Sequence, residues 1–99
     1  MRLRELAHAR SGDKGSTADI TVVAFDPSDY EFLREQVTSE RVREYFVGLG
    51  VTRVERFELA HLGGLKFVLH GALGAGVTAS LDLDAHGKSL GSSLLAMDL

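Results

Sequence analysis

The residues best suited by type and spacing to chemistry lie in one short run, Ser11-Gly12-Asp13-Lys14-Gly15, with Arg10 before it and Ser16 and Thr17 after it. Two glycines flank the Asp13-Lys14 pair. Without a Cβ in the way, backbone N–H groups can converge on one point and form a concave anion site. Arg10 and Lys14 add positive charge and the hydroxyls add donors, so the run suits a phosphate or a carboxylate, with Asp13 orienting Lys14. It is not a P-loop: the lysine precedes the second glycine, and the expected flanks are two strands, so no helix N-terminus is aimed at the anion. The same composition also describes an exposed turn in which Asp13 and Lys14 simply pair with each other. Ser11 or Ser16 would need an adjacent base to act as a nucleophile, and His8 is the nearest in sequence.

Elsewhere, His70 in Leu69-His70-Gly71 reads either as a general base or as a hydrogen-bonded, half-buried histidine. The histidines at 8, 61, 70 and 86 show no His-x-His or His-x-x-x-His spacing, and there is no cysteine. No metal site, cofactor, disulfide or thiol nucleophile is therefore expected. Gly71, Gly74 and Gly76 fit either a second close-approach loop or a helix stop, and Asp82 and Asp84 fit the wet face of a strand.

These residues must be positioned by a modest set of elements. Residues 3–10 read as a strand with Leu6, His8 and Arg10 on one face and Ala7 and Ala9 on the other. The Gly-rich break covers 11–17. Residues 18–25 are β-rich, with Ala18, Ile20, Val22 and Ala24 on one face. Val23 and Phe25 on the other predict a central strand covered on both sides.

Asp26-Pro27 ends that strand, and Ser28 with Glu31 forms the S-x-x-E pattern of a capping box. Tyr30, Leu33 and Val37 then make one helical stripe. Thr38 or Ser39 caps a second helix carrying Val42, Tyr45, Phe46 and Leu49 and stopped by Gly48 and Gly50. Residues 51–59 read as a strand with Val51, Phe57 and Leu59 on one parity. Residues 64–73 fit a helix or a strand equally. The alternation of Val77, Ala79, Leu81 and Leu83 with polar residues predicts a half-buried strand, 84–88 (with His86) a turn, and Leu90, Leu94 and Leu95 a short final helix.

Ninety-nine residues make one domain, 1–99. The element list favours an α+β two-layer sandwich with about four strands in one sheet and helices on one face. It is compatible with a ferredoxin-like βαββαβ plan bearing an extra N-terminal strand. The chain is 44% hydrophobic and 25% charged with a net charge of −3, and its basic residues are scattered. That argues against nucleic acid as a partner. No apolar run approaches the ~18–20 residues that span a bilayer, and the first residues do not resemble a signal peptide. A cysteine-free chain fits a reducing cytoplasm.

The stretch Ala9-Arg-Ser-Gly-Asp-Lys-Gly15 followed by Ala18-Asp-Ile20 resembles the C-terminal domain of the acyclic terpene utilisation (AtuA-like) family. Tyr30-Glu-Phe-Leu33, Thr38-Ser-Glu-Arg-Val42, Tyr45-Phe46 and Phe67-Val-Leu-His-Gly-Ala-Leu73 extend the resemblance over nearly the whole chain. It implies a ferredoxin-like fold and a bacterial setting in the degradation of acyclic terpenoids. In that family the domain usually follows a much larger one, so this chain looks like a free-standing version, either a separate subunit for a larger AtuA-like chain or an independent protein with a different role. Two positions depart from the pattern, which often reads Gly-Asp-Lys-Gly-Asp and then Ala-Asn-Ile: here they are Ser16 and Asp19.

Two functions compete. One is a small subunit or accessory domain in terpenoid or acyl-CoA-type catabolism, with Arg10, Ser11, Gly12, Asp13, Lys14 and Gly15 holding an anionic group. The other is a non-catalytic interaction domain that assembles through its sheet as a homo- or hetero-oligomer.

Overall fold

The computed structural model describes residues 1–14, 17–71 and 90–99, with residues 13 and 14 described by backbone alone. The predicted strand at Val77–Leu83, the turn at 84–88 with His86, the pair Asp82 and Asp84, Gly74, Gly76, and Gly15 and Ser16 lie outside the described residues. Strands β1 (Ala7–Lys14) and β2 (Thr17–Ala24) form a hairpin. Helices α1 (Tyr30–Gln36) and α2 (Ser39–Tyr45) follow, then strands β3 (Arg53–Leu59) and β4 (Gly64–His70), and finally helix α3 (Leu90–Leu94).

The four strands form one antiparallel sheet in the order β1-β2-β4-β3. β4 thus lies between β2 and β3, which run parallel to each other and are joined across the α1–α2 layer. That is the split βαβ arrangement of ferredoxin-like folds, and β1 extends the sheet on the far side of β2. The fold is α+β, with the helices on one face of the sheet, as the element list implies.

The helix-facing side of the sheet is the core. On β2, Ala18, Ile20, Val22 and Ala24 are all buried, and on β4 Leu65, Phe67 and Leu69 are fully so. Leu33 and Val37 of the α1 stripe, Val42 and Phe46 of α2, and Leu90 and Leu94 of α3 cover them. Each large aliphatic or aromatic side chain so buried contributes about 1.5–3 kcal/mol. α3 reaches β1 at Gly91, where a Cβ would stand 3.4 Å from Ala9 Cβ and 3.6 Å from Ser11 Cβ.

Several sequence expectations are corrected. β1 begins at Ala7, not at residue 3: Leu3–Glu5 is a 3₁₀ turn, and Ser11, Gly12, Asp13 and Lys14 belong to the strand rather than to a loop. Ladder pairing with β2 down to Lys14 opposite Thr17 overrides their weak β preference. Strand 18–25 is central, but its second face is not covered by helices: Val23 is half-buried and Phe25 is 64% exposed. The Ser28–Glu31 capping box does not form. Asp26 caps instead, accepting from Ser28 N at 3.0 Å and Ser28 Oγ at 2.9 Å, and Glu31 pairs with Arg34 at 2.7 Å.

Thr38 caps α2 through its Oγ1, as expected of one of the two hydroxyls there. Residues 64–70 are strand, resolving the ambiguity in that stretch. On β3 the parity is the reverse of the expected one. The register with β4 turns Val54, Arg56 and Glu58 toward the helices and leaves Phe57 47% exposed on the other side. Arg56 has work on the inner side: its guanidinium donates to the carbonyls of Arg34 (2.6 Å) and Val37 (3.0 Å), satisfying the end of α1.

Candidate functional site

The side of the sheet away from the helices is where the polar residues gather. In the pairing register, its rows read across β1, β2, β4 and β3. His8, Val23, Gly64 and Leu59 form one row, and Phe25 stands beside it with its ring 5.6 Å from that of His8. The next row is Arg10, Thr21, Lys66 and Phe57. Then come Gly12, Asp19, Val68 and Glu55. In the last row Thr17, His70 and Arg53 follow the Lys14 backbone position. One end of the face is therefore apolar and aromatic, and the other is charged.

The register divides the run singled out in the sequence. Arg10 and Gly12 belong to this open face, whereas Ser11 takes the opposite side, against Gly91 of α3. Successive strand residues point to opposite faces, so one strand cannot present Arg10 and Ser11 to the same ligand. The Asp13 and Lys14 positions are on β1, and Gly15 lies outside the described residues. The cross-strand partner of Gly12 is Asp19, whose Oδ1 lies 3.5 Å from an ideal Gly12 Cβ, an ordinary van der Waals distance.

The side chains of Arg10, Asp19 and Lys66 make no hydrogen bond or ion pair among the described residues. Arg10 and Lys66 flank Thr21, each directly opposite it on a neighbouring strand. Directly opposed residues have Cβ atoms about 4.5–5.5 Å apart, so two long cationic side chains can meet over the threonine. An oxyanion there would be held by two charges and a hydroxyl.

His70, near the other end of the sequence, comes into the row beside Thr17, directly opposite it. Its Nε2 is 2.6 Å from Glu55 Oε1 and 3.2 Å from an Arg53 guanidinium nitrogen, which is itself 3.4 Å from Glu55 Oε1. The hydrogen bond from His70, reinforced by the charge of Arg53, holds the Glu55 carboxyl below its ordinary value of 4.5. The main chain of His70 is fixed as well, since its carbonyl accepts from Thr52 N (2.9 Å) and Thr52 Oγ1 (3.2 Å). Gly71 follows at φ +87°, and a Cβ there would meet Gly50 O at 2.9 Å, so the chain leaves the strand through a contact open only to glycine.

Sequence reasoning missed Glu55, Arg53, Lys66 and Thr21. Glu55 and Arg53 sit in the Arg53–Leu59 strand whose parity was reversed, and Lys66 and Thr21 carried no motif. Once 64–70 is assigned as a strand, the alternation of Lys66, Val68 and His70 with buried residues would have signalled that face. Among the described residues no group of three or more histidines and carboxylates could hold a metal ion, and no helix is long and apolar enough to cross a membrane.

A family model described as the AtuA ferredoxin-like domain matches residues 1–99. No curated protein matches the chain, and no solved structure does.

Proposed function

The chain belongs to the AtuA ferredoxin-like domain family, and on that premise we propose that it is a small subunit or accessory domain of an AtuA-like system, binding an anionic group on the open face of its sheet. The observation that carries this reading is the placement of Arg10 and Lys66 on either side of Thr21, with no carboxylate on either among the described residues. Two such cations on one face of a chain with net charge −3 make a local anion seat against an acidic background. For the setting, terpenoid or acyl-CoA-type catabolism beside a larger AtuA-like chain, the only support is the family resemblance. The seat replaces the loop expected from Ser11 to Gly15: Arg10 keeps its role, Lys66 takes the second charge, and Ser11 is excluded by its side of the strand.

The test is a titration of the isotopically labelled protein with octanoate and, separately, with coenzyme A, followed by amide NMR shifts. Shifts centred on Arg10, Thr21 and Lys66, and abolished by the double change Arg10→Ala and Lys66→Ala, are expected. Shifts that persist in the double variant would overturn the reading.

A second reading is favoured by a different observation: Phe25 and Phe57, on the open face, are 64% and 47% exposed. An interaction domain that assembles through its sheet would cover them. Affinity purification from the native cell, repeated with Phe25→Ser and Phe57→Ser together, separates the two. Recovery of a larger chain that the double variant loses supports assembly through this face, and recovery of the small chain alone counts against a partner subunit.

A further inference from the structure

We propose that His70 is a general base, with Glu55 as its orienting carboxylate. The proposal rests on the anion-seat reading only for its natural ligand, since the base itself is defined by contacts within the chain. Glu55 is ionised at neutral pH and can only accept a hydrogen bond, so at 2.6 Å the Nε2 of His70 carries the proton between them. The neighbouring guanidinium cannot accept either. It donates toward Glu55, and its 3.2 Å approach to Nε2 is proximity rather than a bond of its own. This leaves Nδ1 as the ring's lone-pair nitrogen, without a partner among the described residues.

A surface histidine would ordinarily rotate freely. Here the ring is held by Glu55, itself steadied by Arg53, the backbone carbonyl is held twice by Thr52, and Gly71 locks the exit from the strand. Yet His70 keeps 31% of its side chain accessible. A pinned but accessible imidazole with a set tautomer is the arrangement that proton transfer requires. Its neighbours on the same face are Thr17, directly opposite, and Asp19, paired with Val68 two residues before His70. A ligand anchored at Arg10 and Lys66 and extending toward the Thr17 end would bring its own atoms to His70.

The chemistry can be read without the natural ligand by hydrolysis of p-nitrophenyl acetate. His70 Nδ1 removes a proton from water as the water oxygen bonds to the ester carbonyl. The ester C–O bond then breaks, p-nitrophenolate leaves with the electron pair, acetic acid remains and loses its own proton to solvent as acetate, and the imidazolium returns its proton to solvent. Water is the only co-reactant.

General-base catalysis is worth roughly a hundredfold or more in a finished active site, and on this unspecific probe a loss of about tenfold is expected for His70→Asn. Glu55→Gln, which keeps the shape of the pair, should lose most of the same rate and also let the ring sample both tautomers in a long-range ¹H–¹⁵N correlation. His8→Asn and His61→Asn should hydrolyse the ester as the unmodified chain does. If His70→Asn, shown to be folded by its thermal melt, keeps the original rate, the base assignment is wrong. If Glu55→Gln shifts the tautomers without slowing hydrolysis, the pair is a structural contact and the proposal also falls. Neither result bears on where octanoate or coenzyme A binds.

Discussion

The carboxylate of Asp19 lies against Gly12, because the two residues face each other across β1 and β2. An ideal Cβ on Gly12 stands 3.5 Å from Oδ1, an ordinary van der Waals distance. Gly12→Ala should therefore leave stability within about 0.5 kcal/mol of the original, since strand alanine offsets any small displacement of Asp19. At Gly64 the same Cβ would lie 2.5 Å from Val22 O. Gly64→Ala must shift a central strand and should cost about 1–3 kcal/mol or more. Urea denaturation of both variants checks the contrast.

Asp19 also sets the charge of the face. It lies diagonal to both Arg10 and Lys66, with no partner among the described residues. Asp19→Asn, which restores the residue common in the family pattern, removes one repulsive charge from beside the anion seat. For exposed groups several ångströms apart the gain is about 0.5–1 kcal/mol, roughly two- to fivefold in affinity for octanoate. Calorimetric titration in low salt measures it, and the gain should shrink as salt is added.

The acid limb of stability carries the mark of Glu55. Its folded-state carboxyl is held below the ordinary 4.5 by the hydrogen bond from His70. A depressed carboxylate adds stability that is complete above its unfolded value and is lost as the pH falls through the folded one. The gap between the unmodified chain and Glu55→Gln should thus be constant from neutral pH down to about 4.5 and close below it. Urea midpoints measured across that range follow the gap.

Arg56 ties the inner side of an edge strand to the end of a helix through the carbonyls of Arg34 and Val37. Arg56→Ala removes charge-assisted hydrogen bonds and leaves carbonyls at the end of α1 without donors, so a loss of about 2–3 kcal/mol is expected. The melting temperature and the urea midpoint should fall together.

Tyr30 presents the opposite case. Its ring is packed in the core while its hydroxyl is buried without a partner among the described residues. Tyr30→Phe keeps the packing and removes an unsatisfied polar atom, so it should be neutral or stabilising by up to about 1 kcal/mol. A marked loss of stability would mean that the hydroxyl has a partner after all.

What could be read in the sequence followed how local its cause was. The second helix was legible because the Thr38 cap and the Val42–Phe46 spacing lie within a few residues of each other. The inner face of β2 was legible because four alternating apolar residues needed no knowledge of their partners. β3 was misread because the inner side of this edge strand carries Arg56 and Glu58, so its exposed face holds the larger apolar residues, Phe57 and Leu59. The run from Ser11 to Lys14 reads as a loop in sequence because glycine, serine and aspartate have weak β preference, which pairing with β2 overcomes. The site was half legible. Arg10 and His70 stood out by type, but their company of Thr21, Lys66, Glu55 and Arg53 depends on a sheet register that joins segments tens of residues apart.

The two ends of the chain are bonded to one another: Leu99 N donates to Met1 O at 2.8 Å, and Arg2 bridges Asp98. Closing such a chain into a ring needs only a short linker, and the entropy of closing a short loop is small. A circular permutant joined there and reopened in the 3₁₀ turn Ala60–Leu62, between β3 and β4, would keep the described strands and α-helices whole. It would also carry its new ends to the apolar end of the open face, where a reporter could be attached within reach of Phe25 and Leu59.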